Sequence, residues 1–142
     1  MFTKIVIFIV VVLFPIISSG QDIRLQEVAI LRKDIAVEMQ YLIAVPQEEP
    51  AAEGWPLLLF LHGLGECGSD INLVKKHGPP KLIENGKRFP FVVVSPQCPR
   101  GSHWEPWRLA VLLDEVVESN DIDEDRIYIT GLSMGGFGTW DL

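Results

Sequence analysis

The 142-residue chain is predicted to form an α/β fold with a mostly parallel β-sheet. Three short apolar runs, over residues 56–61, 91–95 and 127–129, have the composition of strands buried on both faces. An amphipathic helix is predicted between the second and third runs, because apolar residues recur there at helical spacing. Strands that alternate with helices favour parallel pairing through right-handed crossovers.

An antiparallel β entry is expected before the parallel strands. Apolar side chains occupy every second position over residues 35–43, which is the period of a half-buried strand. Residues 28–31 are its expected hairpin partner, and the segment 47–54, with three glutamates and one proline, is an expected exposed loop.

The crossover helix is predicted to begin at Pro106 and to end at Asn120. Proline suits the first position of a helix, and the apolar residues that follow recur at i, i+3, i+4, i+7 and i+8. These residues are Leu109, Leu112, Leu113, Val116 and Val117. A shorter helix is expected to end at Lys76, and residues 121–125 are predicted to form a solvated acidic turn.

Residues 1–20 have the composition of a secretory signal peptide. Lys4 provides a positive charge, an apolar run follows over residues 5–17, and small residues occupy positions 18–20. The apolar run is shorter than the roughly 20 residues that span a bilayer, which favours a cleaved leader over an uncleaved membrane anchor. The sequence therefore predicts that residues 21–142 are secreted or periplasmic and have no membrane partner after cleavage.

Charge and cysteine content restrict the partners and the compartment. The chain has 12 Lys and Arg residues against 19 Asp and Glu residues, for a net charge of −7. No basic stripe is present to attract phosphate backbones, so nucleic-acid binding is disfavoured. Cys67 and Cys98 each follow a predicted strand at the same edge of the sheet. In an oxidising compartment they could form a disulfide, and the alternative is two separate thiols.

The stretch from residue 126 to residue 136 reads as a strand, a sharp turn and a helix, with Ser133 at the apex. Gly131 and Gly135 flank this serine at two positions on either side. At so tight a turn we expect the two backbones to lie too close for a Cβ and the serine to be strained. The hydroxyl would then be exposed above the end of the strand, next to the unpaired N–H groups of the helix that begins at Met134.

The pentapeptide Gly131-Leu132-Ser133-Met134-Gly135 resembles the nucleophile elbow of the α/β-hydrolase fold. The similarity covers most of residues 26–142 and is also carried by Phe60-Leu61-His62-Gly63 and Ser95-Pro96-Gln97-Cys98-Pro99. This resemblance implies a three-layer α/β-hydrolase fold. Within that superfamily, the chain is most similar to secreted esterases of the depolymerase, feruloyl-esterase and predicted-peptidase type.

The resemblance also implies roles for individual residues. Ser133 would be the nucleophile, and the N–H groups of Leu64 and Met134 would form the oxyanion hole. His103 and Trp104, in the loop after the second parallel strand, would shape a substrate pocket or belong to an ordinary surface loop. The expected substrate is a small-molecule or polymeric ester, and neither a metal nor an organic cofactor is required.

One departure from the family is as informative as the match. In this fold the triad acid and histidine follow the nucleophile, but only nine residues follow Ser133 and none is a histidine. Residues 21–142 are therefore expected to be the N-terminal portion of the domain, truncated after the elbow and poorly soluble alone. Two alternatives remain open, a serine peptidase of the prolyl-oligopeptidase type and a secreted, non-catalytic remnant that only binds.

Overall fold

The computed structural model describes residues 37–142. The strands are β1 (Tyr41–Ala44), β2 (Trp55–Leu61), β3 (Val92–Pro96) and β4 (Ile122–Gly131). The α-helices are α1 (Gly78–Glu84), α2 (Pro106–Ser119) and α3 (Met134–Asp141), and two 3₁₀ helices span Leu64–Glu66 and Ile71–Lys76. The predicted signal peptide and the hairpin partner of the entry strand lie outside the described residues.

Within residues 37–142 the sheet has four strands in the order β1-β3-β2-β4. β2 runs parallel to both β3 and β4, whereas β1 is antiparallel to β3. The prediction of an α/β fold with a mostly parallel sheet and an antiparallel entry is thereby confirmed. Since β2 and β4 are parallel neighbours, the loop after β2 and the turn after β4 lie at the same edge of the sheet.

The core lies between the central strands and α2. Leu57, Leu59 and Val94 have no exposed surface, and the buried face of α2 packs on them through Leu109 and Val116. This is the amphipathic face that the helical spacing predicts. On the opposite face of the sheet, a Cβ added to Gly78 at the start of α1 would lie 2.4 Å from the ring of Phe60. Helices therefore cover both faces of the sheet centre.

The entry strand departs from its predicted length and phase. β1 contains four residues, and its exposed side chains include Tyr41 and Ile43, at 36% and 40% exposure. The alternation predicts the reverse, with the odd-numbered residues buried. β1 is an edge strand, so its side chains lack the cover that α2 gives to the central strands.

The segment before the elbow also differs from its prediction. Residues 122–125, predicted as part of an acidic turn, belong to β4, where Ile122 pairs with Trp55. The side chain of Arg126 supports this extension because it donates to Asp123 and to the carbonyl of Gly54. Tyr128, in the run predicted to be fully buried, is 57% exposed because β4 lies at the sheet edge.

No helix among residues 37–142 is long and apolar enough to cross a membrane.

Candidate functional site

The turn between β4 and α3 holds Ser133 in a strained backbone conformation. Its φ and ψ angles are 53° and −114°, and no other non-glycine residue in the described part of the chain has a positive φ. Such a conformation costs about 1–3 kcal/mol and persists only where the surroundings enforce it. They do so here, because the N–H of Leu132 donates to Leu61 O at 3.0 Å and that of Gly136 donates to Ser133 O at 2.8 Å.

The two glycines that flank Ser133 are required by close backbone contacts. A Cβ on Gly131 would lie 2.2 Å from the carbonyl of Gly135. A Cβ on Gly135 would lie 1.9 Å from Leu61 O, at the end of β2. The sequence-based prediction that a Cβ would collide at both positions is confirmed. The first turn of α3 is thus pressed against both parallel strands.

The hydroxyl of Ser133 is available at the surface. The residue is exposed, and its side chain makes no capping hydrogen bond to α3. Met134 is the first residue of α3, so its N–H has no acceptor within the helix. The positive end of the helix dipole lies beside the serine, which favours negative charge at this position.

The loop after β2 contacts this turn directly. A Cβ on Gly63 would lie 3.6 Å from Ser133 Cβ and 3.4 Å from Leu132 O, so the two backbones are neighbours. Leu64 begins the first 3₁₀ helix, and its N–H therefore also lacks an acceptor within the helix. The structure brings the three predicted positions, Ser133, Leu64 and Met134, to one edge of the sheet.

His62 holds the peptide that precedes Leu64. The imidazole is 1% exposed, its Nδ1 lies 2.7 Å from Gly63 O, and its Nε2 accepts from the N–H of Cys98 at 3.0 Å. This pairing assigns the proton to Nδ1. Burial lowers the pKa of His62, although the Gly63 carbonyl and the Glu66 charge oppose the shift. Because both ring nitrogens are engaged and the ring is neutral, His62 is a packing residue rather than a general base.

Trp104 belongs to the core. Its exposure is 4%, its indole N–H donates to His62 O at 3.1 Å, and its ring meets that of His62 edge-on at 4.9 Å. A Cβ on Gly138 in α3 would lie 2.7 Å from Trp104 Cβ. The ring of Trp104 therefore packs between His62 and Gly138, and the expectation that Trp104 shapes a substrate pocket stays a prediction. His103 is exposed.

The two cysteines lie close to this loop as free, buried thiols. The N–H of Gly68 donates to Cys98 O at 2.9 Å, which joins the loops after β2 and β3. Burial, and then the neighbouring Cys67, raise the pKa of Cys98 to about 12. The sequence leaves open a disulfide or two separate thiols, and the structure has two separate thiols.

Sequence reasoning missed Glu66. This residue is only 7% exposed, and its carboxylate Oε2 accepts from the N–H of Gly63 at 3.1 Å. This is the glutamate half of a capping box, but Gly63 in the capping position has no side chain to complete it. The sequence therefore lacks the serine or threonine that would have marked Glu66.

A cavity of about 150 Å³ lies at the opposite edge of the sheet from Ser133. Its lining includes Val45, which follows β1, and both Lys87 and Phe91, which precede β3. It therefore lies at the amino-terminal ends of the parallel strands, away from the exposed serine.

A scan against protein-family models gives no match, and a search of the curated proteins gives none either. Among solved structures, the chain is similar to a protein described as a thermostable esterase, with 36% sequence identity and a TM-score of 0.57. The match covers 73% of this chain and 33% of the esterase chain. The chain thus spans about a third of the length of that esterase and shares an α/β fold with it.

Proposed function

We propose that this chain belongs to a serine hydrolase that cleaves carboxylic esters through an acyl-enzyme on Ser133. The supporting observation is the conformation of Ser133, a strained and exposed serine between two glycines that admit no side chain. Structural strain of this kind is concentrated at functional sites. The similarity to an enzyme described as an esterase favours the same class of reaction.

The first half of the reaction forms an ester on the enzyme. Ser133 Oγ attacks the substrate carbonyl carbon while its proton passes to a general base. The carbonyl oxygen becomes an oxyanion, which accepts hydrogen bonds from the N–H groups of Leu64 and Met134. Removing one such donor in other serine hydrolases costs about 2.7–4 kcal/mol of transition-state stabilisation. Collapse of the intermediate breaks the C–O bond, and the alcohol leaves with the proton from the base.

In the second half of the reaction, water hydrolyses the acyl-enzyme and Ser133 is the leaving group. The base takes a proton from water, the hydroxide attacks the acyl carbon, and Ser133 Oγ leaves with a proton from the base. No step requires a metal or an organic cofactor. The same two N–H groups stabilise both oxyanions.

We assign the general base to none of the described residues. His62 is buried and bonded at both ring nitrogens, and no histidine follows Ser133 in the sequence. His103 lies in the exposed loop after β3, and we assign it to the wall of the substrate pocket. With cleavage of a leader over residues 1–20, the ester substrate would be met outside the cytoplasm.

The proposal is tested by ester hydrolysis with the purified natural gene product. We expect turnover of p-nitrophenyl esters, and a loss of at least about a thousandfold in kcat for Ser133→Ala. Ser119→Ala is the matched control, because this exposed serine lies at the end of α2 and bonds only to Glu115 in the described structure. Its turnover should equal that of the parent.

Three results would reject the proposal. Ester turnover that survives Ser133→Ala excludes this nucleophile. Cleavage of a peptide amide in preference to the ester supports the prolyl-oligopeptidase alternative. Absence of turnover with both substrates supports the non-catalytic alternative.

A further inference from the structure

A buried carboxylate lies beneath the loop that carries one proposed oxyanion donor. Glu66 Oε2 accepts from the N–H of Gly63, and the N–H of Glu66 donates back to Gly63 O at 3.3 Å. The two residues therefore close the turn from both ends. A buried carboxylate is costly unless hydrogen-bonded, so this placement needs the partners that the loop provides.

The turn is also fixed from outside. Gly63 O lies 2.7 Å from Nδ1 of His62, and the carbonyl of Glu66 accepts from Gln97 Nε2 at 2.5 Å. The backbone of Gly63 is thus held at its N–H and at its C=O. No cis peptide occurs in the described chain, so the N–H of Leu64 points away from Gly63 O. Fixing the Gly63 backbone fixes the direction of that N–H.

The carboxylate lies close to the nucleophile. A Cβ on Gly63 would lie 3.3 Å from Glu66 Oε2 and 3.6 Å from Ser133 Cβ, so both flank the same glycine. An uncompensated negative charge here would oppose the developing oxyanion. The other oxygen, Oε1, lies 3.6 Å from Nε2 of His77. The useful property of Glu66 is therefore its hydrogen-bond acceptor, not its charge.

We infer that Glu66 is a positioning residue for the reaction, which holds the Gly63 backbone through Oε2 and so aims the N–H of Leu64 at the oxyanion. This inference rests on the proposed function of Ser133. It assigns Glu66 no contact with the substrate. An oxyanion donor acts in the transition state, so loss of its alignment lowers kcat more than it changes KM.

The experiment compares three substitutions of Glu66 in the natural gene product, with p-nitrophenyl ester hydrolysis as the readout. Glu66→Gln keeps an acceptor oxygen at the same distance and removes the charge, and we expect kcat within about threefold of the parent. Glu66→Asp keeps the charge but withdraws it by one methylene. Glu66→Ala removes both. For these two we expect kcat to fall about tenfold to a hundredfold, with KM within about threefold. Glu118→Ala, on the exposed side of α2, is the control and should match the parent.

The outcomes separate this inference from the proposed function. A parent without Ser133-dependent turnover rejects both. If the parent is active, two results reject the positioning role but not the proposed function. One is a Glu66→Asp variant with the parental kcat, and the other is a Glu66→Gln variant whose kcat falls as far as that of Glu66→Asp. Should Glu66→Ala fail to fold, the Gln and Asp variants decide, with circular dichroism spectra as the check that they are folded. A lower free energy of unfolding for Glu66→Asp, with an unchanged kcat, would indicate a purely structural role of Glu66 and overturn the inference.

Discussion

Replacing Gly135 by alanine is expected to destabilise the fold more than any helix-propensity gain can offset. The new Cβ would lie 1.9 Å from Leu61 O and 2.9 Å from His62 O. Real Cβ atoms keep at least 3.0 Å from such neighbours, so α3 must move away from β2 by about 1 Å. Leu61 has no exposed surface and cannot yield.

The expected magnitude follows from what that movement breaks. Overpacking of a rigid site costs about 1–3 kcal/mol. Separation of α3 from β2 also strains the hydrogen bond from Leu132 N–H to Leu61 O, and an unsatisfied buried group costs about 1–3 kcal/mol. Replacing glycine by alanine within a helix offsets about 1 kcal/mol of this. We expect a net loss of about 3 kcal/mol in the free energy of unfolding.

Gly136→Ala is the matched control because it makes the same change one residue further along α3. Its Cβ would meet only Gly131 O, at an ordinary 3.8 Å. We expect it to stabilise the protein by about 0.5–1 kcal/mol. Urea unfolding of the two variants and the parent measures both effects. A Gly135→Ala variant as stable as Gly136→Ala would refute the packing of α3 against the end of β2.

Three further predictions concern single side chains. Ser133→Gly should be about 1 kcal/mol more stable in urea than Ser133→Ala, because only glycine relieves the strain at φ 53°; equal stabilities would argue against strain. The raised pKa of Cys98, about 12, makes its thiolate roughly a thousandfold scarcer than that of an ordinary thiol. Iodoacetamide at pH 8 should therefore leave Cys98 unmodified in the native protein and modify both free cysteines after denaturation without a reductant, whereas rapid native labelling would contradict the burial. Burial lowers the pKa of His62 in the folded state, so the unfolded state binds more protons and the free energy of unfolding should fall as the pH drops below about 6.5. His62→Gln should reduce this pH dependence between pH 7 and pH 5, and an unchanged pH dependence would contradict the neutral assignment.

The elements that the sequence predicts well are those with local causes. The helical spacing of the apolar residues from Leu109 to Val117 predicts which face of α2 is buried. The glycines at 131 and 135 report a turn whose backbone admits no Cβ. In both cases the constraint acts between residues that are close in sequence, so a single sequence contains it.

The features that the sequence does not predict depend on distant neighbours. The exposure of Tyr41 and Tyr128 follows from the positions of β1 and β4 at the edges of the sheet, and strand composition does not encode that position. Trp104 is buried, and its indole N–H donates to the carbonyl of His62, 42 positions away in the sequence. In the sequence Glu66 is an ordinary loop residue. Only the fold of the turn brings its carboxylate within hydrogen-bond distance of the N–H of Gly63.

The most direct test of the central claim is covalent labelling of the natural gene product with a fluorophosphonate, followed by peptide mass spectrometry. An activated serine that faces two oxyanion donors reacts with such a probe, whereas an ordinary surface serine does not. We predict a single adduct on the peptide that contains Ser133, absent from Ser133→Ala and from the denatured protein. No adduct, or an adduct that persists in Ser133→Ala, would contradict the assignment of Ser133 as the nucleophile.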